Sequence, residues 1–198
     1  GAVGAGSGAR AGGLQGGVGM ASTTVDVAGT PIVVAALAVV NASGSVIDTA
    51  TGLPWSRSAR LRRPVAAERA ALRAVWEATH AAPLNTTIGI VATDAALTRA
   101  EAGRLAQSAH DGLARSIRPA HSLMDGDTVF GLATGAHEIG SVDVGTVRGS
   151  GSRASQLNLL FAAAGDTFET ACLDAVVTAT SIGSAPSYRA VCPSAFRD

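Results

Sequence analysis

Three apolar runs along the chain predict β-strands. Residues 30–41 (TPIVVAALAVVN) are almost continuously apolar and rich in Val, which predicts a strand buried on both faces. Residues 86–95 (TTIGIVATDA) and 127–135 (DTVFGLATG) predict two further strands. Residues 44–48 (GSVID) follow a turn after the first run and are a candidate hairpin partner for it.

Three segments predict helices, and they alternate with the strands. Residues 66–80 have a helical pattern, and residues 155–180 predict a long, nearly all-apolar helix. Another helix begins at Thr98, because Thr98 and Glu101 match a capping box. Its apolar stripe at helical spacing comprises Leu105, Ala109, Leu113 and Ile117. The alternation favours an α/β sandwich over an all-α or all-β fold.

Composition and charge narrow the function. The 198 residues fit one domain, and a hydrophobic fraction of 47% is typical of a globular chain. Because 15 basic residues balance 15 acidic ones, overall charge gives no attraction to nucleic acid or to an anionic membrane. The chain has no Lys, which excludes chemistry on a lysine amine. The longest apolar run is about half of what a bilayer needs, and we expect a cytoplasmic protein.

The titratable side chains show no spacing typical of a metal site. Cys172 and Cys192 are too few for a disulfide framework, and we expect both to be buried as small apolar residues. The four histidines are scattered, with no Cys nearby. We therefore expect no metal and no cofactor.

Two segments have a composition unlike the rest. Residues 1–22 are rich in Gly and have too little side-chain volume for a core of their own. The chain opens on Gly1 without an initiator Met, and we expect a further segment upstream. Residues 56–64 are basic and unpatterned, which predicts a solvated linker.

Three short motifs allow more than one interpretation. Asn85-Thr86-Thr87, at the mouth of a predicted strand, suits a capping turn, a glycosylation acceptor or a bond that the protein cuts in itself. Asn41, which ends a predicted strand, is either a turn cap or a donor of an amide N–H to an oxyanion. Asp125-Gly126-Asp127 is either a hairpin turn or a weak cation loop, since the other ligands of a calcium loop are absent.

Four segments together resemble one enzyme family. They are GARAGGLQGGVGMAS, VVNASGSVIDTATGLPW, NTTIGIVATDAALT and AHDGLARSIRPAHSLMDGDTVFGLATG. Together they are similar to the L-aminopeptidase/D-esterase family, which includes the nylon-oligomer (6-aminohexanoate-oligomer) hydrolases. The resemblance covers most of residues 1–139. It implies an αββα sandwich, similar in layering to the N-terminal nucleophile hydrolases and related in fold to ornithine acetyltransferase.

The resemblance also implies a precursor that cuts itself between Asn85 and Thr86. Residues 1–85 would be the end of an α chain and residues 86–198 the β chain, together forming one domain. Thr86 would then be the nucleophile. The chemistry is consistent with this, because a free α-amine with a pKa of about 7.7–8.0 can act as base for a Thr hydroxyl. The branched Thr side chain also restricts χ1.

By the same resemblance, Asn41 offers its amide to the oxyanion, and Asp125 and Asp127 support the nucleophile through its ammonium and hydroxyl groups. Gln15 stands where relatives often carry Lys. We expect hydrolysis of short peptides or amides, through an acyl-enzyme on Thr86, by a homo-oligomer with no nucleic-acid or membrane partner. The alternatives are hydrolysis of ω-amino-acid oligomers, acyl transfer of the ornithine acetyltransferase type, or an inactive fragment.

Overall fold

A four-stranded sheet with two long helices forms the framework of the computed structural model, which describes residues 1–56, 61–79, 85–140 and 152–196. In chain order, the strands and α-helices are β1 (Arg10–Ala11), β2 (Leu14–Gln15), β3 (Gly17–Val27), β4 (Thr30–Asn41), α1 (Ala66–Glu77), β5 (Thr86–Ala95), α2 (Arg99–Ser116), β6 (Thr128–His137), α3 (Arg153–Val177) and α4 (Tyr188–Val191).

The main sheet has the strand order β3-β4-β5-β6. Strands β3, β4 and β5 are antiparallel neighbours, whereas β5 and β6 run parallel and are connected through α2. The hairpin between β3 and β4 turns at Ala28 and Gly29, which have φ values of 53° and 86°. Positive φ at both turn residues gives the twist that antiparallel strands favour.

Helices α2 and α3 cover one face of the sheet, and the core lies between these layers. The Gly-rich start of the chain contributes to this core through β3. A Cβ atom added at Gly19 would lie 2.0 Å from the carbonyl oxygen of Ala171 in α3. The absence of a side chain therefore lets the helix backbone rest directly on the strand.

The opposite face of the sheet is apolar and open. Its large side chains are between 41% and 66% exposed: Met20, Val33, Ile88, Ile90, Phe130 and Leu132. Strand pairing places Met20, Ile90 and Phe130 in one row across the sheet. This row and its neighbours, which we call the open sheet face, form a continuous apolar surface rather than scattered exposed residues.

Most of the predicted elements are confirmed, and so is the α/β class. The strand over residues 86–95 has the predicted bounds, and the third predicted strand lies at Thr128–His137. Thr98 and Glu101 form the predicted capping box. Both cysteines are buried. Of the predicted linker at 56–64, residues 57–60 lie outside the described ranges.

Two predictions about the first apolar run are wrong. Strand β4 alternates between buried residues and more accessible ones, so it is buried on one face rather than on both. Residues 44–48 are not its hairpin partner, because β3 occupies that position. Instead, Ser45 and Ile47 make isolated bridges to Arg118 and Pro54. The sequence did not distinguish these cases, since apolar side chains line both faces of β4.

Within the described residues, no helix combines the length and the apolar character required to cross a bilayer.

Candidate active site

Two sequence candidates meet at one edge of the main sheet. Thr86 is the first residue of β5, Asn41 is the last residue of β4, and the two are paired in the antiparallel ladder. Both line a cavity of about 240 Å³. The strands therefore place a hydroxyl and a carboxamide side by side on rigid backbone, as a reactive site requires.

The backbone of Gly126 contacts both groups that would react in a self-cleavage. Its N–H donates a hydrogen bond of 3.1 Å to the carbonyl oxygen of Asn85. Its own carbonyl oxygen accepts a hydrogen bond of 2.9 Å from the hydroxyl of Thr86. The first contact polarises the carbonyl of the candidate bond, and the second fixes the direction of the hydroxyl. One glycine thus holds the electrophile and the nucleophile together.

Asp125 is held by two serines. Its Oδ1 accepts from the backbone N–H of Ser43 at 3.0 Å, and its Oδ2 accepts from the hydroxyls of Ser43 and Ser122, each at 2.6 Å. Burial would raise the pKa of Asp125, but these hydrogen bonds outweigh burial and lower the pKa below its ordinary value. Asp125 is therefore ionised at neutral pH and fixed on one side of Gly126.

Asp127 is held on the other side of Gly126. Its Oδ1 accepts a hydrogen bond of 2.7 Å from the backbone N–H of Thr87, and its Oδ2 lies 2.8 Å from Nδ1 of His121. Only 4% of the Asp127 side chain is exposed. In the described part of the chain, neither aspartate has a hydrogen bond to the hydroxyl of Thr86. Both carboxylates instead fix the backbone that surrounds this residue.

The amide of Asn41 has a defined orientation. Its Oδ1 accepts a hydrogen bond of 3.0 Å from the backbone N–H of Arg10. This contact assigns the oxygen end of the amide and so fixes where the Nδ2 end points. The guanidinium of Arg10 donates to Ser184 at 2.9 Å and lines a second cavity, of about 430 Å³, together with Asn85. Cavities thus lie on both sides of the candidate bond.

Gln15 is buried among backbone carbonyl groups of the Gly-rich segment. It is 1% exposed, and its Nε2 lies within 2.9–3.4 Å of four backbone carbonyl oxygens, those of Gly6, Ser7, Ala9 and Gly16. An amide has two N–H hydrogens to share among these four acceptors. Gln15 therefore shapes the Gly-rich segment, which in turn presents the N–H of Arg10 to Asn41.

Sequence reasoning missed several residues of this site. Ser43, Ser122 and His121 contact the aspartates, and Gly126 acts through its backbone. Their types are common in loops, and Ser43 is far from Asp125 in sequence, so that contact depends on the tertiary fold. The one available signal was proximity, because His121 and Ser122 lie only a few residues before the Asp125-Gly126-Asp127 turn.

His110, on α2, borders the same region. Its ring centroid lies 5.1 Å from that of His121, with the rings tilted by 49°. The pKa of His110 is lowered, first because the ring is partly buried and second because His121 is near, while Asp127 and Asp111 oppose the shift. Neutral His110 therefore gives His121 a packing surface without an added charge.

Sequence comparison finds one matching family model and several related proteins. The family model described as Peptidase family S58 matches residues 1–188. An uncharacterized aminopeptidase of Mycobacterium tuberculosis (strain ATCC 25618 / H37Rv) is 46% identical over 202 residues, covering 99% of this chain and 58% of that protein. The chain thus spans little more than half the length of this relative. A 6-aminohexanoate-oligomer endohydrolase of Paenarthrobacter ureafaciens is 35% identical over 66 residues, covering 33% of this chain and 17% of that protein.

Two solved structures have a fold similar to that of this chain. A β-aminopeptidase of Burkholderia sp. superposes with a TM-score of 0.61 at 28% identity, covering 94% of this chain and 49% of that one. The L-aminopeptidase D-Ala-esterase/amidase of Ochrobactrum anthropi, described as a variant of the Ntn hydrolase fold, gives a TM-score of 0.57 at 22% identity, covering 90% and 44%. At this identity the second likeness bears on the fold alone.

Proposed function

Because this chain belongs to peptidase family S58, we propose that it carries the nucleophile of an aminopeptidase-type hydrolase acting on short peptides or amides. Family membership also confirms the resemblance to the L-aminopeptidase/D-esterase group. One observation supports the finer assignment more than any other. The hydroxyl of Thr86 and the carbonyl of Asn85 both bind the backbone of Gly126, so a nucleophile and its electrophile lie at one anchored point.

The first step of the proposal is self-cleavage. The hydroxyl oxygen of Thr86 attacks the carbonyl carbon of Asn85, and the Gly126 N–H stabilises the negative charge that develops on the carbonyl oxygen. The C–N bond then breaks, and the Thr86 nitrogen takes up the hydroxyl proton to become a free amine. Water hydrolyses the resulting ester. The products are a chain that ends in the Asn85 carboxylate and a chain that begins at Thr86.

The second step is turnover of substrate. The new α-amine of Thr86 accepts the proton of its own hydroxyl, so cleavage creates the base as well as the nucleophile. The amide N–H of Asn41 faces the oxyanion formed on the substrate carbonyl. Asp125 and Asp127 support the nucleophile by fixing the backbone on both sides of Gly126. The hydroxyl oxygen of Thr86 bonds to the substrate carbonyl carbon, the substrate C–N bond breaks, and the leaving amine takes the proton from the α-ammonium of Thr86. Water then hydrolyses the acyl ester, which releases the acid and restores the hydroxyl of Thr86.

In this scheme residues 1–85 and 86–198 are two chains of one domain. Strands β3 and β4 belong to the first, and β5 and β6 belong to the second, so the main sheet holds the products together. The cavities beside Asn85 and Thr86 would receive the two sides of a substrate amide. We further propose that the enzyme works as a homo-oligomer in the cytoplasm.

A second candidate is hydrolysis of ω-amino-acid oligomers. The observation that favours it is the 35% identity over 66 residues with a 6-aminohexanoate-oligomer endohydrolase. The same acyl-enzyme would serve both reactions, and only the substrate that fits the cavities would differ.

The test uses the full-length protein. Intact-mass analysis and N-terminal sequencing should find a chain that begins Thr-Thr-Ile, and Thr86→Ala should remain uncut and inactive. Thr86→Ser should retain cleavage, because it keeps the hydroxyl. A soluble, active preparation that contains only uncut chain would overturn the proposal.

The substrate is identified with a panel of four kinds. They are aminoacyl p-nitroanilides, β-alanyl peptides, the 6-aminohexanoate dimer, and N-acetylornithine with glutamate. Release of p-nitroaniline or of free amino acid supports the peptide or amide assignment, and cleavage of the 6-aminohexanoate dimer alone supports the second candidate. Acetylglutamate as the sole product would indicate a transferase instead.

A further inference from the structure

His121 makes a contact that sequence reasoning did not anticipate. Its Nδ1 lies 2.8 Å from Oδ2 of Asp127, whose other oxygen accepts the N–H of Thr87 at 2.7 Å. Two short contacts therefore link His121 to Thr87, the residue beside the candidate nucleophile. Within the described ranges, His121 has no hydrogen bond to the hydroxyl of Thr86, which donates to Gly126. Its observed link to that region runs through Asp127.

The neighbour of His121 holds the other aspartate. The hydroxyl of Ser122 donates to Oδ2 of Asp125 at 2.6 Å. Two consecutive residues thus bind the two carboxylates that flank Gly126, one on each side. Since Gly126 binds both the Asn85 carbonyl and the Thr86 hydroxyl, a displacement of either aspartate would move the groups that react.

From these contacts, we propose that His121 is a positioning residue that holds Asp127, and through it Gly126 and Thr87, in the geometry required for self-cleavage and turnover. The inference rests on the function proposed above. Backbone conformation is consistent with a demanding position, because His121 has a φ of 52°, a region that residues with a Cβ seldom occupy. The ring of His110 lies against that of His121, with the two centroids 5.1 Å apart.

A surface ion pair without functional effect is the competing explanation, and the chain offers a direct comparison. His137 and Asp94 lie 3.8 Å apart at the far end of β5, with 43% and 24% of their side chains exposed. His121 is equally accessible at 42%, but its partner is almost fully buried at 4%. Asp94 also accepts a backbone N–H, that of Val33, so the two pairs differ in carboxylate burial and in the distance to the histidine. A short contact to a buried carboxylate constrains geometry more than a longer, partly exposed one does.

Three variants of the full-length protein test the inference. His121→Gly removes the ring at a position whose φ suits Gly, so loss of the contact is not confounded by backbone strain. His121→Asn also tolerates this φ and places a side-chain N–H near the former Nδ1. His137→Asn is the matched control at the other His–Asp contact.

The readouts are the rate of appearance of the chain that begins at Thr86, kcat per cleaved molecule, KM, and the thermal unfolding midpoint. We expect His121→Gly to slow both cleavage and kcat by about 100-fold, the effect of misplacing reacting groups by roughly 1 Å. KM and the unfolding midpoint should stay close to wild type. His121→Asn should recover most of the rate, and His137→Asn should match wild type.

The outcomes separate this inference from the function on which it rests. Wild-type protein that neither cuts nor turns over any substrate would overturn both. Active wild type with an equally active His121→Gly variant would overturn only the positioning role. So would a His121→Asn variant as slow as His121→Gly, or a loss of rate that follows a lowered unfolding midpoint.

Discussion

Asn41 and Thr86 face each other as the last residue of one strand and the first residue of the next. Their pairing brings the carboxamide and the hydroxyl to the same edge of the sheet without the help of any loop. The backbone N–H of Arg10 then fixes the orientation of the carboxamide. The position of the candidate oxyanion donor is therefore set by strand register, and its direction by the Gly-rich segment.

The first prediction separates the two interpretations of Asn41. Asn41→Ala should lower kcat by roughly 100- to 1,000-fold, the usual effect of losing an oxyanion donor. Asn41→Asp retains an oxygen that can accept the Arg10 N–H but has no N–H to donate. We expect it to be as slow as Asn41→Ala, with unfolding midpoints near wild type. Recovery of activity in Asn41→Asp would show that Asn41 is a turn cap.

The second prediction concerns the ionisation of Asp125. Burial raises its pKa, but the hydrogen bonds from Ser122 and Ser43 prevail and lower it. A carboxylate whose pKa is lowered in the folded state stabilises that state. This stabilisation is fully present above the ordinary pKa and is lost as pH falls through the folded pKa. Ser122→Ala removes one hydrogen bond, so in denaturant unfolding the loss of stability in acid should begin at higher pH than in wild type. Ser108→Ala, a serine that donates within α2, is the control. An unchanged pH dependence of unfolding in Ser122→Ala would contradict this role.

The sequence predicts some parts of the fold and of the candidate site but not others. Thr98 and Glu101 predict their helix start because a capping box depends on neighbours in the chain. Strand β3 was missed, because its glycines reflect close packing against α3 rather than a loop. The open sheet face was missed because apolar residues on both sides of β4 are typical of full burial. The backbone donor at Gly126 has no side chain to signal it.

The third prediction concerns stability and pH. Arg153 donates to both carboxylate oxygens of Glu101 and to the carbonyl oxygens of Ile139 and Ala96. The hydrogen bond from Arg153 lowers the pKa of Glu101 to about 2, against the effect of burial. Arg153→Met leaves these acceptors without their partner and should reduce the free energy of unfolding by about 1–3 kcal/mol at pH 7.

The pH dependence of that loss is also defined. Since the pKa of Glu101 is lowered, the stabilisation is present above about pH 4.5 and is lost as pH falls towards 2. The difference in unfolding free energy between wild type and Arg153→Met should therefore shrink in acid to the part that comes from the carbonyl acceptors. Arg115→Met, which breaks contacts to the 76% exposed Asp166 and to Glu169, should cost less than about 1 kcal/mol. An equal loss in both variants would contradict the distinction.

The fourth prediction concerns the open sheet face. With Met20, Ile90 and Phe130 uncovered, residues 1–198 expressed alone should self-associate, bind hydrophobic dyes and lack activity. Met20→Glu and Phe130→Glu should reduce both dye binding and association, because each puts a charge on the apolar row. Gln107→Glu, at an exposed position of helix α2, is the control for an added negative charge alone. A wild-type chain of residues 1–198 that is monodisperse by light scattering and active in the substrate assay would contradict the prediction.

A cut between Asn85 and Thr86 would change the order of the refolding reaction. Before the cut, β4 and β5 belong to one polypeptide, and their pairing after denaturation is unimolecular. After the cut, the same ladder forms between two molecules, so recovery depends on concentration and fails on dilution. An enzyme matured in this way would keep its native state through slow unfolding rather than through repeated refolding.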